Sequence, residues 1–241
     1  PEWHQYKLLC AGVALVVLVI RNLRGIRESA PFLMPIFLVF VATHAVAIIY
    51  GLLTHVGRFP EVTSEISNDV STLSSQVGMW GVFLIILRAY SMGAGTYTGI
   101  EAVSNGLQAL REPRAETGKR TMKYVAISLS VTVVGLVFLY LLFGAKLEEG
   151  KTLNATLFHM MTASWPGWTG TTFVIITLLS EAALLFVAAE TGLLGGPAVL
   201  ANMSLDKWCP TRFAILSDRF VSQNGLLFMG IAALVMLIVS G

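Results

Sequence analysis

Apolar residues in this chain gather in long, nearly unbroken runs instead of alternating or forming narrow helical stripes. A helix needs about 20 apolar residues to cross a hydrocarbon core of about 30 Å. Six runs reach or approach that length, near residues 3–21, 30–54, 79–110, 124–145, 170–203 and 225–241. The pattern predicts an all-α membrane protein with six transmembrane helices. Between them, the loops at 56–78 and 146–169 are polar enough to lie in water.

The third run differs from the others in length and in content. Its 32 residues, Met79 to Leu110, would make a straight helix of about 48 Å, well beyond the membrane core. Near its middle stands GAGTYTGIEAVSNG, residues 93–106, with Gly93, Gly95 and Gly99 where glycine weakens a helix and admits close approach. The third span is therefore expected to be discontinuous, broken within 93–99. Unwound backbone at that depth is tolerated where it is buried in protein or lines a watery cavity, and in secondary transporters such breaks hold substrate or ion. After the glycines, Tyr97, Glu101, Ser104, Asn105 and Gln108 recur at helical spacing on one face, flanked by apolar Ile100, Val103 and Leu107. A carboxylate in a span costs roughly 2.5–3.5 kcal/mol on insertion scales, so it marks a cavity, a partner or a proton path. The competing reading of the glycines is close helix packing through small residues.

Composition narrows the remaining classes. The chain is 55% hydrophobic and 12% charged, and its net charge of +2 is spread along the loops, which gives no footprint for nucleic acid. Cys10 and Cys209 lie in different segments without metal-ligand spacing. No nucleophile–base arrangement, HExxH or phosphate loop is present, so neither an enzyme nor a cofactor is indicated. Lys and Arg favour the odd-numbered connections by eleven to three, which places residues 111–123 in the cytoplasm and 56–78 outside. Asn154-Ala155-Thr156 fits the glycosylation pattern but is short enough to arise by chance. A chain that opens on Pro1 outside the membrane and stops within an apolar run reads as a piece of a longer transporter.

The stretch GTYTGIEAVSNG, followed by REPRAETGKRTM, resembles the sixth transmembrane helix and following cytoplasmic loop of the amino acid–polyamine–organocation (APC) superfamily. Within it, the resemblance is particularly to bacterial permeases close to the KimA-type potassium importers. NLRGIRES between the first two spans and AAETGLLGGPAVLANMSLDKWCPTRFAILSDRFVSQNG after the fifth extend the resemblance over nearly the whole chain. It implies that residues 1–241 are a partial APC-type permease domain, helices four to nine of about twelve, in a LeuT-type fold of two inverted repeats. Substrate would then sit where the first and sixth helices unwind. Tyr97, Thr98 and Gly99 match the unwound segment, and Glu101 matches the acid of the Gly-x-Glu motif. Ser104 and Asn105 continue the same substrate-binding face. The partner first and third helices are not in this chain. Relatives often carry an acid and an Arg around the proline of Gly195-Gly196-Pro197-Ala198, and both charges are absent here.

Other polar residues in the spans are candidates for coupling or gating. Arg88 precedes the glycines and suits an outer gate, or a side chain that snorkels to the interface. Glu181 and Glu190 lie in the fifth span, nine residues apart and not on one face; Glu190 is the stronger candidate because Gly192, Gly195 and Gly196 follow it. His44 is a lone histidine in a span, most simply structural. The expected function is a secondary active transporter moving amino acids across the cell membrane, coupled most simply to protons, with Glu101, Glu190 and Arg88 as the candidates for coupling or gating. A potassium importer is the alternative, and a non-transporting sensor or scaffold a third class. The expected partners are the lipid bilayer, a small-molecule or cation substrate and H+.

Overall fold

The computed structural model describes residues 6–24, 30–93, 103, 110–217 and 222–240, and all regular structure among them is helical. Among the described residues seven α-helices follow in order: α1 (Lys7–Leu23), α2 (Ala30–Thr54), α3 (Phe59–Gly93), α4 (Arg114–Phe143), α5 (Leu153–Thr162), α6 (Gly167–Leu205) and α7 (Gln223–Ser240). Five helical stretches among the described residues, Leu33–Thr54, Val56–Gly93, Arg114–Phe143, Gly167–Leu205 and Gln223–Ser240, are long and apolar enough to cross a bilayer. The protein is a multi-pass membrane protein. The first expected span is α1, whose 17 residues lie at the short end of the spanning range.

The wet-looking segments need correction. Residues 59–77 are not a loop but the first part of α3, with Pro60 and Glu61 in the opening turn where a missing N–H and a negative charge are tolerated or favoured. This part ends at Gly78, whose φ of 71° and ψ of 167° lie in a region essentially reserved for glycine. Within 146–169, α5 is folded into the protein instead of lying in water: Ala155, Leu157, Phe158 and Met161 are buried. Thr152 caps it, accepting a hydrogen bond from the Ala155 N–H at 3.2 Å. The fourth span begins at Arg114, ten residues before the apolar run, because RAETGKRTMK is itself a good helix-forming sequence outside the membrane. It closes on Gly144 in the left-handed conformation, where the N–H groups of Gly144 and Ala145 satisfy the carbonyls of Leu141 and Tyr140.

The chain divides into two compact units, residues 1–40 with 177–241, and residues 41–176. In the first, α1 packs along α7. Its core is Leu18, Leu193 and Leu226, surrounded by Leu15, Val19, Phe186 and Met229. Small residues allow this approach: a Cβ at Gly230 would stand 2.7 Å from Val19 Cγ2, and one at Gly196 would meet Met229. The connection from α6 to α7 is tied by side chains, with Ser204 Oγ donating to the Pro210 carbonyl at 2.5 Å and Ser222 Oγ to Phe213 at 2.7 Å.

In the second unit α2 and α4 pack through glycines, Gly51 lying against Leu139 and Gly135 against Ile48. One end of this unit is a belt of aromatic and polar contacts. Tyr50 meets Trp165 edge-on with centroids 5.2 Å apart, and Trp165 lies 5.2 Å from Phe173. His55 rests on Phe143 at 4.0 Å. The Tyr140 hydroxyl donates to Asn154 Oδ1, so the carbonyl of the glycosylation-pattern asparagine is engaged in this packing. The segments after α2 and after α4 thus gather at the same end of the unit.

Candidate transport site

Most of the expected substrate site, Gly95, Tyr97, Thr98, Gly99, Glu101, Ser104 and Asn105, together with Gln108, lies outside the described residues. α3 is helical through Gly93, its last described residue. The interruption that is described within α3 falls earlier, at Gly78, where the chain passes from polar to apolar sequence. That position carries a signal in the sequence, a lone glycine between an amphipathic stripe and an unbroken apolar run.

The coupling candidates occupy contrasting environments. Glu190 is 4% exposed. It is one turn from Phe186 and Leu193 on α6, both of which belong to the cluster formed with α1 and α7, so its carboxylate is carried on the packed face of the helix. Burial of a carboxylate in such a cluster is costly and is the physical signature of a group kept for a purpose, structural or functional. Of the three glycines behind it, Gly196 does meet another element, the Met229 side chain of α7, whereas Gly192 and Gly195 have open space beside them. Glu181 is half-buried. Arg88, by contrast, is exposed on α3, and no carboxylate among the described residues forms an ion pair with it.

His44 is 2% exposed, and its ring stands edge-on to Phe158 at 5.6 Å and 86°. That packing suits the structural role expected of a lone histidine. Buried hydroxyls absent from the sequence reading accompany these groups: Thr156 and Thr162 in the second unit, Thr177 and Ser180 in the first. Thr162 and Ser180 donate back to the carbonyls of Phe158 and Thr177, which satisfies them within their own helices. A groove along α1 and α7, lined by Leu8, Gly12, Val16, Leu234 and Ile238, is apolar and offers no oxygen side chain to a cation.

Over 243 aligned residues the chain is 29% identical to the potassium transporter KimA of Bacillus subtilis (strain 168). It is similar to a transporter from end to end. The match takes in 100% of this chain and 38% of that protein, so the chain spans well under half of its relative's length. No family profile matches the chain. The amino-acid substrate expected from the wider superfamily finds no support in this comparison, while the APC resemblance is consistent with it.

Proposed function

We propose that this chain is part of a secondary transporter that imports potassium, with a discontinuous third span in a LeuT-type arrangement supplying one side of the ion site. The observation that carries the reading is the similarity of the chain, over its whole length, to one potassium transporter. The chemistry is compatible. A dehydrated monovalent cation needs a shell of oxygens, which unwound backbone carbonyls provide at low cost in charge. Tyr97, Thr98, Ser104 and Asn105 add oxygen side chains near the glycines, and Glu101 adds the negative charge that offsets the ion's lost hydration.

Import against a gradient needs an energy source, and proton coupling is the simplest one for a chain without a nucleotide motif. Glu101 and the buried Glu190 are the two acids proposed to take part, and the basic segment 111–123 is assigned to the cytoplasm. The test is uptake by the full-length protein in cells lacking their own potassium importers, with rubidium as tracer and labelled amino acids as competitors. Rubidium accumulation that amino acids leave unchanged supports the reading; amino-acid accumulation without rubidium uptake overturns it. In the same assay Glu101→Gln keeps size and hydrogen bonding but removes the charge and the titratable proton. The variant should express normally and lose most concentrative uptake. Unchanged uptake at every pH would exclude both an ion-binding and a coupling role for Glu101.

A further inference from the structure

The first part of α3 carries an apolar stripe that the membrane spans do not explain. At 100° per residue, Phe59, Val62, Ile66, Val70, Leu73 and Val77 fall within an arc of about 80°. Apart from Pro60, the rest of its surface is Ser, Thr, Asn, Gln, Glu61, Glu65 and Asp69. The first turn of the stripe is covered by protein: Val62 is buried, and the Phe59 ring lies 5.9 Å from that of Phe138 on α4. Farther along, Ile66, Val70 and Val77 are 41%, 45% and 46% exposed, and Leu73 is half-buried. Exposed apolar surface of this length marks an interface.

Its occupant follows from what the stripe runs into. At Gly78 the backbone leaves helical geometry and then resumes as an apolar span. Met79 and Trp80, immediately past this bend, are 72% and 79% exposed, and Phe83, Leu84 and Ile86 beyond them are exposed as well. Trp favours the level of the lipid headgroups, and the exposed apolar residues beyond it continue the lipid-facing surface of the span. The stripe is therefore continuous along the chain with an established membrane surface. We propose that residues 59–77 form an interfacial helix that rests on the phospholipid bilayer with this stripe in the headgroup–acyl boundary, Gly78 turning the chain from the surface into the membrane. Unlike most surface-lying helices it carries no Lys, Arg or His between Phe59 and Leu87. Apolar burial, anchored by Phe59 and Val62, holds it down, without attraction to anionic lipid.

The test uses full-length protein in phosphatidylcholine nanodiscs, with Cys10 and Cys209 replaced by Ser and single nitroxide-labelled cysteines at Ile66, Val70, Leu73, Ser64, Asn68, Ser71 or Ser75. Collision with oxygen, which concentrates in lipid, is compared with collision with a water-soluble nickel chelate. The ratio should be several-fold higher at 66, 70 and 73 than at 64, 68, 71 and 75, and unchanged on adding phosphatidylglycerol or salt. Val70→Glu should collapse the oxygen preference of the Leu73 label, whereas Ser71→Glu should not. Equal ratios on both faces would overturn the proposal. So would stripe positions shielded from both reagents, which would mean that protein covers the helix, or a profile that depends on anionic lipid. These readouts are independent of what the protein transports.

Discussion

The Arg58 guanidinium donates to the main-chain carbonyl of Leu142 at 2.5 Å, tying the start of α3 to the last turn of α4 across 84 residues of sequence. A cation at the carbonyl end of a helix satisfies an orphan acceptor and opposes the helix dipole. Arg58 also pairs with Glu61 at 3.2 Å, so one side chain joins the end of α4 to the first turn of α3.

Arg58→Ala should lower the thermal stability of the detergent-solubilised protein by the equivalent of about 1 kcal/mol, less than a buried charged hydrogen bond contributes because the site is partly exposed. Glu61→Ala should change it by no more than about 0.5 kcal/mol, since the pair itself faces water. Equal effects of the two would show that the ion pair, not the carbonyl contact, matters.

Gly78→Ala should destabilise the protein by about 1–3 kcal/mol, because alanine does not adopt φ 71° and ψ 167° without strain. Gly12→Ala on α1 is the control. No atom lies within 4 Å of the added methyl, and removing a helix-interior glycine should stabilise by about 0.5–1 kcal/mol. Thermal melts of the two variants side by side should move in opposite directions.

Phe158 is fully buried and meets both His44 and Phe173 edge-on. Phe158→Ala should cost about 3–5 kcal/mol and free α5 from the unit. Phe158→Leu, which keeps most of the volume, should cost about half as much. Proteolysis within 146–166 would report the release, with the alanine variant cut fastest.

An impermeant thiol reagent should label cysteines placed at Ser75 and Glu149 from the same side of the membrane, in a background free of Cys10 and Cys209. A cysteine at Lys119 should label only from the opposite side, which the basic residues assign to the cytoplasm. Labelling of positions 75 and 149 from different sides in intact cells would contradict the shared end of the second unit.

The apolar runs were legible because lipid imposes a single rule: backbone polar groups must be satisfied within the segment, so a long apolar run has to be a helix. The α2 span begins and ends where its run does, and α6 and α7 agree within a few residues. The helices at 59–77 and 153–162 went unread for different reasons. In the first, Ser, Thr and acids mask the hydropathy, although the three- and four-residue spacing of Val62, Ile66, Val70, Leu73 and Val77 was open to inspection. In the second, ten residues are too few for periodicity to separate a buried helix from a loop.

Spacing along the chain was enough to show that Glu181 and Glu190 take different faces of one helix, because 3.6 residues per turn is a local property. Which acid is buried was not local. Glu190 lies 4% exposed because Phe186 and Leu193, on either side of it, pack into a cluster with Leu18 of α1 and Leu226 of α7. Likewise, Arg58 reads as one more loop cation until folding brings Leu142 to it. Local sequence prescribes helix and lipid contact through backbone chemistry and transfer free energy, but burial of a polar group depends on which distant surfaces meet, and only packing sets that.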